Sequence, residues 1–402
     1  MMLHKSLAKY PVAVLTSLVI GLSASVASAE MGGKAITTYE DAVAASSLAE
    51  KWVNGELPLS DEVTYQGPPI TYRYSTYLPA VSGLEKINTQ ALQQLERESK
   101  GKIKVESFYS QSLHPQAEGF TAVRDGIADF AACFMIYEPT SFKMLHGLTL
   151  PFQFDDSTAA TRTATALYPK YFKGEYENMG VYLGREFIAT PYNIIGNASY
   201  RQLADFKGSK IRAGGRTQSA VLKALGAVAV NVPSAEMYTS LQRGLVDSVA
   251  LNDPAIPVFK LNEVSKYHSQ VGLFAVNVEY CISPDWFDAL PADLKRIYYN
   301  WQQKTNYVLA QVFYEREARR VQDTFRKSGI ELVVPAAAEI AKWKAIVAPV
   351  TDEWIADTEK AGLPAKALLA ELATIKAKSE AMSWNEQFQE AIDKPVKGLI
   401  NF

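Results

Sequence analysis

The sequence is poor in the residues that metal-dependent or nucleophilic catalysis draws on. It carries 2 cysteines and 4 histidines in 402 residues, and no pair of them stands at metal-ligand spacing. The histidines, His4, His114, His146 and His268, are each isolated in sequence. A nucleophile elbow (GxSxG), a phosphate loop (GxxxxGK followed by Ser or Thr), a dinucleotide turn (GxGxxG) and an HExxH helix are all missing. Charge of one sign is missing too: 41 basic against 43 acidic residues leave a net charge of −2. That excludes a basic footprint for nucleic acid.

A membrane-spanning run is also lacking. The apolar stretch from Pro11 to Leu22 is shorter than the roughly 20 residues a span needs. With Lys5 and Lys9 before it and Ala27-Ser28-Ala29 after it, this stretch reads as a signal peptide cleaved after Ala29. The mature protein is therefore expected outside the cytoplasm. Export permits a disulfide, but Cys133 (in AACF) and Cys281 (in YCIS) each sit in an apolar, strand-like context, which favours buried free thiols.

What the chain does have is a regular alternation of strands and helices, at a length that suits two domains. Residues 30–66 read as a leader with one short helix near Tyr39 to Val53. From Ile70 to Val105 a strand, a helix stopped by Gly101 and a second strand form a βαβ unit. A helix near Glu118 to Asp125, a strand from Ile127 to Phe134 and the apolar loop Leu148 to Phe154 follow. Strands are expected at Val181 to Ala189 and Asn193 to Asn197, and a long one at Gly272 to Ser283 runs back between domains. Pro291 to Ser328 has a helical pattern that would span about 50 Å, enough to brace both domains or to kink between them. Amphipathic helices end the chain. The domains expected are residues 67–189 with 278–317 (lobe I) and 190–277 with 318–402 (lobe II).

Paired acids offer little chemistry. Asp155-Asp156 suits a helix start, where negative charge is favourable. Glu315 and Glu317, among Arg316, Arg319 and Arg320, read as a solvated charged face.

The informative stretch is Asp205 to His268. Lys210-Ile211-Arg212 is a short strand that runs into Gly214 and Gly215, so Arg212 stands at a strand's carboxyl end, where open α/β sheets hold ligands. Alternation turns Arg212 away from Ile211, and the glycines let a ligand approach the backbone. A guanidinium there matches a carboxylate through two parallel hydrogen bonds; the alternative is an ordinary strand-end salt bridge.

This stretch resembles the DctP family of solute receptors of tripartite ATP-independent periplasmic (TRAP) transporters. The matching segments are Asp205-Phe-Lys-Gly-Ser-Lys-Ile-Arg212, Leu222 to Ala227, Glu236 to Asp247 and Phe259 to His268. Outside it, Asp129-Phe130, the Leu150-Pro-Phe152 loop and Trp286 to Leu294 match as well. The resemblance implies an α/β fold of the two-lobed periplasmic binding protein type, with chain crossovers, a long bracing helix and an interlobe ligand cleft. It implies an extracytoplasmic receptor that captures an organic acid anion and hands it to TRAP membrane permease subunits, with no catalysis, cofactor or metal. A sensor on the same fold, or an exported α/β hydrolase, are the alternatives. Arg212 is implied as the contact for the ligand carboxylate.

Around it, Tyr192 stands beside Asn193 where relatives that bind sialic acid place a second arginine. Leu251, next to Asn252, stands where they place an asparagine, and Ser234 replaces an aromatic residue. A monocarboxylate with an apolar or aromatic body against Phe134, Tyr137, Phe152 or Tyr192 is the expected ligand. A C4-dicarboxylate, with Arg216 or another basic residue meeting its second carboxylate, is the alternative.

Overall fold

The computed structural model describes residues 30–31, 34–59, 61–138 and 140–402. The expected signal peptide, residues 1–29, lies outside the described residues. In chain order the strands are β1 (Glu30–Met31), β2 (Lys34–Ala35), β3 (Ile70–Ser75), β4 (Ile103–Phe108), β5 (Phe130–Ala132), β6 (Tyr182–Ile188), β7 (Asn193–Gly196), β8 (Lys210–Ala213), β9 (Val228–Asn231), β10 (Ser248–Leu251), β11 (Tyr267–Ser269), β12 (Asn277–Ile282) and β13 (Glu331–Val333).

Two sheets divide the molecule. The first is 5-stranded, in the order β4-β3-β5-β12-β6, and the second is 6-stranded, in the order β13-β11-β7-β10-β8-β9. Within the first, β3, β4 and β5 run parallel, and β12 lies antiparallel between β5 and β6. Within the second, β8, β9 and β10 run parallel, while β7 is antiparallel to both β10 and β11. This is the two-lobed α/β architecture expected. Each sheet has helices packed on it because its strands bury both faces: every residue of β12 and of β10 is buried.

Local sequence explains the elements. Tyr72 and Tyr74 of β3 enter the core of the first lobe. Helix Gly83–Glu98 lays Leu84, Ala91, Leu92 and Leu95 on the sheet and begins at Ser82, whose side chain accepts the Glu85 N–H. It stops at Gly101, whose φ of 74° suits a residue without a Cβ. Asp156 starts helix Ser157–Tyr171 by accepting the Ala159 N–H at 2.8 Å, as its position suggested.

The chain passes between the sheets at 189–193 and 271–276. These two crossovers lie side by side: Tyr192 N–H donates to Phe274 O at 2.7 Å, and Leu273 N–H to Tyr192 O at 3.0 Å. The regular strand after the second crossover is only Asn277–Ile282, because residues 271–276 bond to the first crossover and not to a sheet. A third link is the long helix. It runs as Ala292–Val308, a π-helical turn Leu309–Glu315, and Arg316–Lys327, and then feeds β13.

Four expectations need correction. Cys133 and Cys281 form a disulfide, not free thiols: β5 and β12 are sheet neighbours, which brings together cysteines 148 residues apart in sequence. Glu315 is not on a solvated face. It is 3% exposed and pairs with Arg319, the widened π turn having carried it inward. The leader's helix is two, Tyr39–Ala45 and Ser47–Val53, joined at Ser46. Arg316 holds that pair by donating to Ser46 Oγ at 2.7 Å and to Glu50 at 2.9 Å. Last, the terminal helices do not all stay on lobe II. Helix Ala337–Lys360 starts there, with Trp343 against Phe206, but Ala365–Glu380 and Trp384–Asp393 pack on helix Ser157–Tyr171 of lobe I. Arg162 fixes them through Glu390 and Ser379.

Candidate functional site

Strand β8 ends at the cleft between the sheets. Its Ile211 is fully buried and Arg212 is 3% exposed, so the strand buries both its faces and the guanidinium sits in a closed space. Arg212 Nε donates to Val232 O at 2.9 Å, and Nη2 to Ser234 Oγ at 3.5 Å. Among the described residues no carboxylate lies within ion-pair distance of it. Burial pulls its pKa below the usual arginine value, and only the phenols of Tyr192 and Tyr137 act in the opposite sense. Gly214 accounts for part of the space: a Cβ there would stand 3.3 Å from Arg212 Nη1.

Two phenols, those of Tyr137 and Tyr192, lie close enough to the guanidinium to feel its charge. Tyr137 follows β5 on a short 3-10 turn, Met135–Tyr137. Burial pushes its hydroxyl up, against the pull of Arg212 and a hydrogen bond with Ser234. Tyr192, on the first crossover, is pushed up to about 12 by burial, with Arg212 and a bond to Asn252 opposing. Phe134 sits edge-on to Tyr137 at 6.2 Å between centroids. The site therefore joins Phe134 and Tyr137 of one lobe, Arg212, Ser234 and Asn252 of the other, and Tyr192 at the hinge. Such a site binds an anion by charge and its body by ring contact.

The remaining predicted residues lie elsewhere. Asn193 is spent on the hinge: its Nδ2 donates to Asp253 at 2.8 Å, and its Oδ1 accepts the N–H groups of Val271 and Gly272. Asp253 also bonds His268 Nε2 at 2.7 Å and Gln322 at 3.1 Å. Burial would raise the Asp253 carboxyl, but His268, Asn193 and Gln322 together hold it below its usual value. Leu251 is buried in β10, paired with Asn193. Phe152 bonds to the second crossover through its N–H and lies under Lys344, 5.3 Å from its ring centroid. Arg216 does not join Arg212. It is 71% exposed and pairs with Asp357 at 3.3 Å, because helix Arg216–Ala224 turns its first side chain outward.

Sequence reasoning missed three residues. Tyr77 packs edge-on against Phe134 at 5.5 Å, and Phe274 lies 5.4 Å from Tyr192. Tyr314 sits in the π turn close enough to Tyr192 for the two phenols to oppose each other's ionisation. Tyr77 could have been read from its place just after β3; Tyr314 could not, since its direction depends on the π turn. No group of three or more His, Cys, Asp or Glu able to hold a metal occurs among the described residues.

Comparison with known proteins decides the family. Residues 77–357 match DctP, bacterial extracellular solute-binding protein, family 7. The chain belongs to this family. A curated relative, the solute-binding protein of Albidiferax ferrireducens, is 24% identical over 267 residues, covering 63% of this chain and 75% of the relative.

Solved structures share the fold at lower identity. A TRAP solute-binding protein from Rhodoferax ferrireducens, in complex with copurified benzoate, superposes with a TM-score of 0.73 at 21% identity, covering 77% of this chain and 98% of that one. Another from Bordetella bronchiseptica, with bound (R)- and (S)-mandelate, gives 0.71 at 24%, covering 77% and 99%. Others of this fold carry orotic acid or β-D-galacturonate. The protein is a family 7, TRAP-type solute receptor, and its fold is shared with these solved structures.

Proposed function

We propose that this receptor captures a small monocarboxylate with an aromatic or apolar body and delivers it to the membrane permease of a TRAP transporter. One observation carries the reading: a guanidinium 3% exposed, near the phenols of Tyr137 and Tyr192, with no acidic partner among the described residues. Burying a cation without a counter-charge costs several kcal/mol, and a ligand carboxylate would remove that cost. The aromatic acids bound by two structural relatives are consistent with this chemistry. Against a dicarboxylate stands Arg216, the cation expected to meet a second carboxylate, which is exposed and already paired with Asp357.

In mechanism, an open cleft admits the anion, Arg212 takes its carboxylate, and Phe134, Tyr137 and Tyr192 close on its body. Only the closed form contacts the ligand from both sides, so binding favours closure. The closed receptor docks on the permease. A thermal-shift panel of mono-, di- and keto-carboxylates, aromatic acids and uncharged sugars tests the reading. A ligand at a hundredfold its dissociation constant stabilises by about 2.7 kcal/mol. Aromatic monocarboxylates should give the largest shifts; a response to sugars alone, or to dicarboxylates above all others, would contradict the proposal.

A further inference from the structure

A cavity of about 430 Å³ lies apart from Arg212, between the 140–150 segment of lobe I, the start of helix Arg216–Ala224 and the end of helix Ala337–Lys360. Its volume falls within the roughly 300–1,000 Å³ typical of small-molecule sites. None of Val232, Ser234, Tyr137 or Tyr192 lines it. The lobes approach each other beside it, where a Cβ on Gly215 would be 3.4 Å from Ile136.

The lining groups are of both charges. Lys143 and Glu353 face it with no ion pair among the described residues, while Arg216 and Asp357 are joined at 3.3 Å. Trp354 and Leu150 supply apolar surface. His146, also in the lining, has both ring nitrogens buried and without a partner. Burial, and then the charge of Arg216, push its pKa down to about 4. It is therefore a neutral ring in the cavity wall, its nitrogens turned away from the open space.

We propose that this cavity is a second binding site, for a small zwitterion of the α-amino-acid class. Its carboxylate goes to Lys143, its ammonium to Glu353, and its apolar side chain against Trp354 and Leu150, beside the Arg216–Asp357 pair.

Occupancy of this site acts on the cleft. Helix Ala337–Lys360 is tied to lobe II by Trp343 against Phe206 and by Glu339, which accepts the Leu203 N–H at 3.2 Å. It is tied to lobe I by Trp354 Nε1, which donates to Lys143 O at 2.9 Å. A zwitterion in the cavity touches both lobes and the helix that joins them, so it favours the closed form and, by linkage, tightens anion binding at Arg212. The coupling rests on the reading of the Arg212 cleft; the site itself does not.

The test is calorimetry with L-phenylalanine and L-leucine as probes, on the mature receptor alone, on the receptor saturated with benzoate, and on Arg212→Met. Both probes should bind in all three, and tighter with benzoate present. Lys143→Ala and Glu353→Gln, both at exposed positions, should each weaken the probes by about threefold to fivefold and leave benzoate binding to the amino-acid-free receptor unchanged. Phenylpropionate and phenethylamine, each lacking one charge, should bind more weakly at this site in Arg212→Met. The proposal fails if neither amino acid binds Arg212→Met or the benzoate-saturated receptor, or if neither lining variant alters their affinity. Failure of benzoate to bind the parent would overturn the Arg212 reading instead, and amino-acid binding to the unliganded receptor would still judge the second site.

Discussion

Replacing Arg212 with methionine should separate affinity from stability. The side chain is 3% exposed, and its only hydrogen bonds among the described residues are to Val232 O at 2.9 Å and Ser234 Oγ at 3.5 Å. In the unliganded receptor, Arg212→Met leaves the Val232 carbonyl without its partner, at a cost of about 1–3 kcal/mol. It also removes a buried, uncompensated cation, whose desolvation costs several kcal/mol. The two terms oppose each other, and the unliganded variant should melt at or above the parent's temperature. Binding responds differently. Losing one partner of a buried charge pair costs about 2–5 kcal/mol, or roughly thirtyfold to a few thousandfold in Kd. Titration calorimetry with benzoate as probe and differential scanning calorimetry without ligand read the two quantities. An arginine that merely staples β8 to the Val232 loop predicts the reverse pattern, a destabilised variant with near-parental affinity. That result would refute the argument.

Three further predictions concern the framework. Glu186 is buried beside Asn277, and burial pushes its carboxyl up to about 8 against the Asn277 hydrogen bond. A folded-state pKa above the ordinary glutamate value of 4.5 means that the folded state holds the proton more tightly. Its stabilising contribution is therefore complete below the unfolded value and is lost as pH rises through about 8. The melting temperature should fall between about pH 4.5 and pH 8, and Glu186→Gln should flatten that slope in calorimetric scans; an equal slope in both would contradict the assignment. The Cys133–Cys281 bond closes a separation of 148 residues, for which loop entropy gives an upper bound of about 5 kcal/mol. The Cys133→Ala, Cys281→Ala double variant should lose about 2–5 kcal/mol in denaturant titrations, and an unchanged midpoint would count against the pairing. Arg316→Ala removes the bonds to Ser46 and Glu50, at about 1.5–3 kcal/mol for hydrogen bonds to a charged group. Hydrogen exchange should quicken first in 39–53, and uniform quickening would show that this helical pair is not held locally.

The fold was legible where local pattern and long-range order agree. The alternating Ile70, Tyr72 and Tyr74, the helical spacing of Leu84, Ala91 and Leu95, and Gly101 describe one βαβ unit without outside help. The placing of Arg212 near a strand end followed by two glycines was legible for the same reason, and such positions in open sheets are where ligands are held.

What the sequence hid depends on contacts it does not encode locally. The disulfide needs β5 and β12 to be neighbours, a fact of topology. Glu315 and Tyr314 change direction because a π turn advances the helix by an extra residue, which no helical periodicity anticipates. Arg216 and Arg212 are four residues apart yet do not meet, since one lies near the end of a strand and the other begins a helix. Asn193 was read as a ligand contact because it neighbours Tyr192, but its amide closes the hinge.

The central claim is that the cleft binds through the charge of a carboxylate held by Arg212. Titration calorimetry of the parent receptor with benzoate and with benzamide, its neutral analogue of nearly the same shape, tests this directly. The account predicts measurable binding of benzoate and a loss for benzamide of about 2 kcal/mol or more, at least roughly thirtyfold. Equal affinities for the two would mean that ring contacts alone hold the ligand, and would contradict it.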